Sequence, residues 1–150
     1  MNTLAHLGES WVQLELAKRD YYVSKVHNVG FDFLGENGLK LEVKSALPSK
    51  NRKFSKKVNK CYEYTHWQFR VTTKKQQNTD YFICVPFETL SKCPLGYFVF
   101  PKEEFKTLGR SDMITVFESD LKGVFKTKNK TDRHQYLNKW QDVIQKFINQ

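Results

Sequence analysis

Asp32, Glu42 and Lys44 are residues of the types that handle metal ions and phosphates, and they fall within a short span of the chain. They belong to Gly30-Phe31-Asp32-Phe33-Leu34-Gly35-Glu36-Asn37-Gly38-Leu39-Lys40-Leu41-Glu42-Val43-Lys44-Ser45, where two apolar or alternating runs flank Asn37-Gly38. Asn-Gly between such runs is the strongest short-range signal for a β-hairpin. A three-residue loop of Glu36, Asn37 and Gly38, with Gly38 left-handed, sets Gly35 against Leu39 and Asp32 against Glu42; a two-residue loop would set Asp32 against Leu41. The first register is preferred. It gathers Leu39, Leu41 and Val43 with Phe31 and Phe33 on one face, and Asp32, Glu42 and Lys44 on the other, which Leu34 and Lys40 share.

Carboxylates opposed across a strand pair repel one another. A divalent cation between them removes the conflict, and hard oxygen donors suit Mg²⁺ or Mn²⁺; at phosphates Mg²⁺ is held by few carboxylates and keeps several waters. Lys44, on the same face as Glu42, is placed to contact a phosphate or polarise a water. An isolated acid-x-Lys is more often a solvated strand face, and Glu104-Phe105-Lys106 and Asp120-Leu121-Lys122 share the spacing. Neither follows a hairpin that opposes a second carboxylate, so neither is assigned chemistry.

The elements that must position these residues follow from hydrophobic period. Residues 3–18 predict an amphipathic helix through Leu4, Leu7, Trp11, Leu14 and Ala17, with Glu9 off the centre of its stripe. Tyr21 to Val26 reads as a strand leading into the hairpin, so the chain opens helix, strand, strand, strand. After Ser45 comes a run, residues 49–60, holding Lys50, Arg52, Lys53, Lys56, Lys57 and Lys60 and no acid. Such a run is commonly a solvated, mobile loop, but its place directly after the Glu42 strand favours phosphate contact. Residues 63–71 predict a strand with Thr65, Trp67, Phe69 and Val71 on one side and Tyr64, His66, Gln68 and Arg70 on the other. Lys74 and Lys75 sit in a polar turn and are a second candidate phosphate contact. Tyr81-Phe82-Ile83-Cys84-Val85-Pro86 reads as a buried central strand, paired with 96–100, followed by a helical turn from Pro101. Residues 113–117 form another strand. A last helix is expected from an N-cap at Thr131 to about 149, with a stripe of Leu137, Trp140, Ile144 and Phe147 used for core packing or, second, a dimer seam.

Length and composition set the bounds. A chain of 150 residues is one domain, 1–150, able to bury a sizeable core. Cys61, Cys84 and Cys93 cannot all pair and lack zinc spacing, and neither a leader-like start nor a membrane-length apolar run is present, so a cytoplasmic, reduced protein is expected. The formal charge of +9 implies a polyanionic partner, nucleic acid before acidic lipid. His6, His27, His66 and His134 show no paired ligand spacing. No GxxxxGK[ST], GxGxxG or GxSxG occurs, which argues against a nucleotide cofactor and against serine hydrolysis.

Gly8-Glu9 on the first helix, Gly30-Phe31-Asp32 on one strand and Glu42-Val43-Lys44 on the next resemble the PD-(D/E)XK nuclease superfamily, although Phe31 stands where the name has proline. The later pattern, Trp67-Gln68-Phe69, Thr79-Asp80-Tyr81-Phe82-Ile83-Cys84-Val85 and Tyr97-Phe98-Val99-Phe100-Pro101, looks like the small stand-alone group I intron homing endonucleases, and the first part is also similar to archaeal Holliday-junction resolvases. The C-terminal third has no counterpart in the resemblance. It implies an α/β (α+β) restriction-endonuclease-like fold, a mixed central sheet flanked by helices, with an αβββ start and a C-terminal helix. It implies Asp32, Glu42 and the Val43 carbonyl as ligands of Mg²⁺ or Mn²⁺, Lys44 as the residue acting on the attacking water or the phosphate, and Glu9 as a helix carboxylate holding a metal water or second metal. Ser45 and Gln68 stand near by strand position, with structural hydrogen bonding the commoner role for both. The expected activity is hydrolysis of phosphodiesters in double-stranded DNA by a homodimer or homotetramer, site-specific and of the homing or restriction type. The alternatives are a junction resolvase and a non-catalytic nucleic-acid-binding module of the same fold.

Overall fold

Two β-sheets lie face to face, and the hairpin belongs to the larger one. The computed structural model describes residues 3–27, 30–72, 77–104, 113–123 and 133–148. Helix α1 (Thr3–Ala17) leads to strands β1 (Val23–Lys25), β2 (Phe33–Gly35), β3 (Lys40–Ala46), β4 (Ser49–Ser55), β5 (Lys60–Arg70), β6 (Tyr81–Pro86), β7 (Phe98–Pro101) and β8 (Met113–Phe117). Helix α2 (Glu118–Lys122), a 3-10 turn (Arg133–Tyr136) and helix α3 (Trp140–Ile148) complete the described chain. One sheet has the order β1-β2-β3-β6-β7 and is mixed, its β3–β6 pair parallel; the other, β4-β5-β8, is antiparallel. The fold is mixed α+β with a mixed sheet, as expected, and a second, antiparallel sheet joins it. Periodicity identifies which residues of a strand are buried, not which sheet buries them.

A parallel pair forms where both faces can be covered. Here α1 and α3 cover one face: Val12, Leu16, Trp140 and Val143 pack on Leu41, Val43, Ile83, Val85 and Val99. The second sheet covers the other, where Trp67, Phe69, Ile114 and Val116 meet Ala46, Phe82, Cys84, Phe98 and Phe100. All six residues of β6 are buried, as its continuous apolar run requires. The Trp67 indole N–H donates to the Phe87 carbonyl at 2.9 Å and ties the sheets together. On α1 the buried line runs through Gly8, Val12 and Leu16, and Leu14, expected on the apolar stripe, is exposed. No helix of the described residues is long and apolar enough to cross a membrane.

The hairpin adopts the preferred register as far as Phe33, but the expected pairing of Asp32 with Glu42 is not made. Phe33 pairs with Leu41 and Leu34 with Lys40, the Gly35 amide donates to the Leu39 carbonyl at 2.8 Å, and Gly38 has φ +84°, a conformation L-residues avoid. The Tyr21 hydroxyl donates to Asn37 Oδ1 at 2.7 Å and clamps the turn onto the strand entry. Asp80 fixes the other side: its carboxylate accepts the Lys40 amide and its own amide donates to the Lys40 carbonyl, both at 2.8 Å, so β6 starts level with β3.

The cationic run, to which the sequence assigned phosphate contact but no element, contains a strand, Ser49–Ser55, paired with Lys60–His66. One expectation needs correction. The last helix begins at Trp140, not after Thr131, which lies outside the described residues. Leu137 bridges to Phe98, Asn138 has φ +56°, and Tyr97 and Asn138 exchange backbone and side-chain hydrogen bonds, all of which break a helix there. Asp120 accepts the amides of Phe117 and Arg133, so this carboxylate is structural, in keeping with the lack of chemistry assigned to it.

Burial pushes the Tyr21 phenol up to about 12, with the Glu36 and Asp80 carboxylates adding to the shift from 10.0. A phenol whose pKa is raised on folding contributes stability that is complete below about 10 and is lost as pH climbs toward 12. Tyrosinate absorbance should therefore show that Tyr21→Phe removes a component titrating near 12; loss of one titrating at 10 would contradict the clamp.

Candidate active site

The Glu42 strand offers two opposite environments to alternate residues. Leu41 and Val43 enter the helix-side core, while Glu42 and Lys44 face the second sheet. Glu42 is 1% exposed, so the alternative reading of a solvated strand face does not hold at this point. Burying a carboxylate is costly without hydrogen bonds or an opposite charge, which makes its placement a strong local constraint.

Asp32 reaches Glu42 by a different route from the simple ladder. The pairing of β2 with β3 runs only to Phe33, and the Asp32 amide donates at 2.9 Å to the carbonyl of Leu41, the residue already paired with Phe33. Two residues of one strand thus face one of the next, the pattern of a β-bulge, which re-aims a side chain. The Asp32 carboxylate accepts the Val43 amide at 2.8 Å, against the Glu42-Val43 peptide. Phe31 leaves its expected face as well and lies 5.7 Å below the Lys40 ammonium.

A cavity of about 370 Å³ opens at this point, lined among others by Glu9, Asp32, Glu42, Val43, Lys44, Ser45 and Gln68. Every residue put forward for the site from the sequence, the DNA contacts apart, is therefore at one place. Helix α1 supplies Glu9 because Gly8 lies directly on Ser45: a Cβ at Gly8 would sit 1.8 Å from Ser45 Oγ. The Glu9 carboxylate is paired with Lys25 of β1, and His6 lies 4.0 Å away. On the far wall β4 pairs with β5 only as far as His66, and Gln68, Phe69 and Arg70 border the cavity beyond that point. Arg70 was not put forward from the sequence. Its place on the Gln68 side of the β5 alternation was the available signal, which a lone arginine does not make specific.

Among the described residues no group of three or more His, Cys, Asp and Glu stands close enough to hold a metal ion. The donors on offer are instead two carboxylates, Asp32 and Glu42, and the Val43 carbonyl. That set fits Mg²⁺ or Mn²⁺, which take oxygen ligands and fill remaining positions with water and phosphate oxygen. Buried Cys84, the strand partner of Lys44, is no competitor, since burial pushes its thiol up. Of the cations expected to meet DNA, Lys50, Arg52 and Lys53 lie on β4, Lys56 and Lys57 in the turn and Lys60 on β5, while Lys74 and Lys75 fall outside the described residues.

One solved structure similar to this arrangement of helices and two sheets is that of a bacterial homing endonuclease, I-Ssp6803I, with a TM-score of 0.62 and 16% identity over 98% of this chain and 95% of that chain. At that identity the likeness is one of fold, and it extends through the C-terminal third. No protein-family model and no curated protein sequence matches the chain.

Gly8→Ala drives a methyl into Ser45 Oγ, and overpacking of this kind costs about 1–3 kcal/mol. In a Ser45→Ala background the same change should cost little, since alanine is the better helix former by about 1 kcal/mol. Urea denaturation of the four proteins checks this: equal costs in the two backgrounds would place the strain elsewhere.

Proposed function

We propose that the protein is a Mg²⁺- or Mn²⁺-dependent endonuclease of the PD-(D/E)XK type that hydrolyses phosphodiester bonds of double-stranded DNA at specific sites, as homing or restriction enzymes do. The observation that carries the proposal is the convergence of Asp32, Glu42 and Lys44 on one cavity beside a strongly basic ribbon. The fold shared with a homing endonuclease supports it.

Asp32, Glu42 and the Val43 carbonyl would hold the cation. The chemistry it supplies when bound is charge stabilisation at a phosphoryl oxygen and a bound water of lowered pKa. The Asp32 carboxylate is held in place by the Val43 amide, so its orientation is set before any ligand arrives. Lys44 brings a positive charge to the cavity wall, where it orients the attacking water or offsets negative charge growing on the phosphate. Arg70 adds a second cation on the opposite wall and fits a flanking phosphate. Glu9, through its pair with Lys25, holds a further cation beside the site. Cutting both strands of a duplex needs two such sites, so the working form is a homodimer or homotetramer.

A pool of supercoiled plasmids with randomised inserts, incubated with Mg²⁺, should contain members that the wild type nicks or linearises, and none in EDTA. Asp32→Asn, Glu42→Gln and Lys44→Ala should each lower the rate by at least about 100-fold, the scale for losing one charge-stabilising group. Cutting by all three variants at the wild-type rate would sink the proposal.

A further inference from the structure

The β4–β5 ribbon is longer than packing requires. Only the β5 residues from His66 onward enter the core, yet seven residue pairs, from Ser49 with His66 to Ser55 with Lys60, continue the ribbon outward. Every residue from Ser49 to Phe54 is exposed. At about 3.3 Å per residue the paired segment is about 20 Å long. It carries Lys50, Arg52, Lys53, Lys56, Lys57 and Lys60 against one acid, Glu63. A protruding two-stranded ribbon of this charge has the width of the major groove of B-DNA.

Its two faces are not equivalent. Asn51, Lys53, Tyr62 and Tyr64 share one face, and that face is backed by Phe117 and by Glu118 and Ser119 of α2 around a common pocket. Phe117 and α2 therefore partly cover that face. Lys50, Arg52 and Phe54 share the other face with Cys61, Glu63 and Thr65. By alternation this face continues the side of β5 that carries Trp67 and Phe69 and is turned to the larger sheet, whereas Gln68 and Arg70, also at the cavity, lie on the first side. Arg52 is 82% exposed in its side chain, and it and Lys50 lie 4.0 and 3.7 Å from Glu63, exposed pairs weak enough to exchange for a ligand. The root of the ribbon at Ser49 follows β3 after only Leu47 and Pro48, so its position relative to Lys44 is fixed by the fold.

We infer that the β4–β5 ribbon enters the major groove of the duplex whose backbone lies over the cavity, presenting Lys50, Arg52, Phe54 and Thr65 to base edges while Lys56 and Lys57 at the turn hold phosphates. This rests on the endonuclease proposal and adds to it the element that selects the sequence. Arg52 is the residue suited to the O6 and N7 of a guanine, and Phe54 offers an apolar surface to a thymine methyl.

The test is selection from a pool of randomised duplexes in EDTA, where binding is read apart from cutting, followed by guanine N7-methylation interference on the selected duplex. Wild type should select a sequence and lose binding when one guanine within it is methylated in the major groove. Arg52→Ala should bind that duplex roughly 10- to 100-fold more weakly and no longer respond to that methyl, whereas Lys57→Ala should weaken all duplexes alike and lower the salt slope by about one. Identical selection and interference by wild type and Arg52→Ala, or a wild type that binds duplexes without preference, overturns the inference while plasmid cleavage by the wild type still supports the endonuclease. A wild type that neither binds nor cuts duplex overturns both.

Discussion

Glu42 is a carboxylate placed out of water in the middle of a strand, and the arrangement around it follows from making that placement possible. The strand is covered on one side by α1 and α3 and on the other by the second sheet. An ion so placed must be compensated, or folding loses several kcal/mol. Glu42 stands at the edge of a cavity that Lys44 and Arg70 also line. A buried acid beside cations and a second carboxylate is a poor device for stability and a good one for binding a divalent cation at a phosphate. The parallel pairing with β6, the clamp of Asp80 on Lys40 and the contact of Gly8 with Ser45 all serve to fix where Glu42 stands.

The bulge at Asp32 is the second consequence. A regular ladder would set the two carboxylates directly opposite, where they repel. Ending the ladder at Phe33 lets the Asp32 side chain take a hydrogen bond from the Val43 amide, so one of its oxygens is satisfied by the backbone. The bulged strand therefore carries a pre-oriented acceptor rather than a strained pair. Glu9 shows the same economy: its charge is matched by Lys25, and the helix brings a neutral ion pair rather than a third carboxylate.

The parts of this arrangement that depend on local chemistry were legible in the sequence. Asn37-Gly38 announced the turn and its register, because few residues tolerate the backbone angle at Gly38. Tyr81 to Pro86 announced a strand buried on both faces. What depended on contacts far apart in sequence was not legible. The bulge arises from an Asp32 to Val43 hydrogen bond, and nothing at Asp32 itself signals it. Residues 49–55 carried no strand signal because Phe54 is their one large apolar residue, and their strand character comes from pairing with β5. The start of α3 was misplaced because the Asn138 exchange with Tyr97 stops the helix from outside. Asp32, Glu42 and Lys44, put forward from the hairpin, and Glu9, Ser45 and Gln68, put forward from the resemblance, all line one cavity.

The most direct measurement is an anomalous difference map from crystals grown with Mn²⁺. The account predicts a single strong peak in contact with the carboxylates of Asp32 and Glu42 and the carbonyl of Val43. Mn²⁺ found only at other carboxylates, with the Asp32–Glu42 cavity holding none, would contradict it.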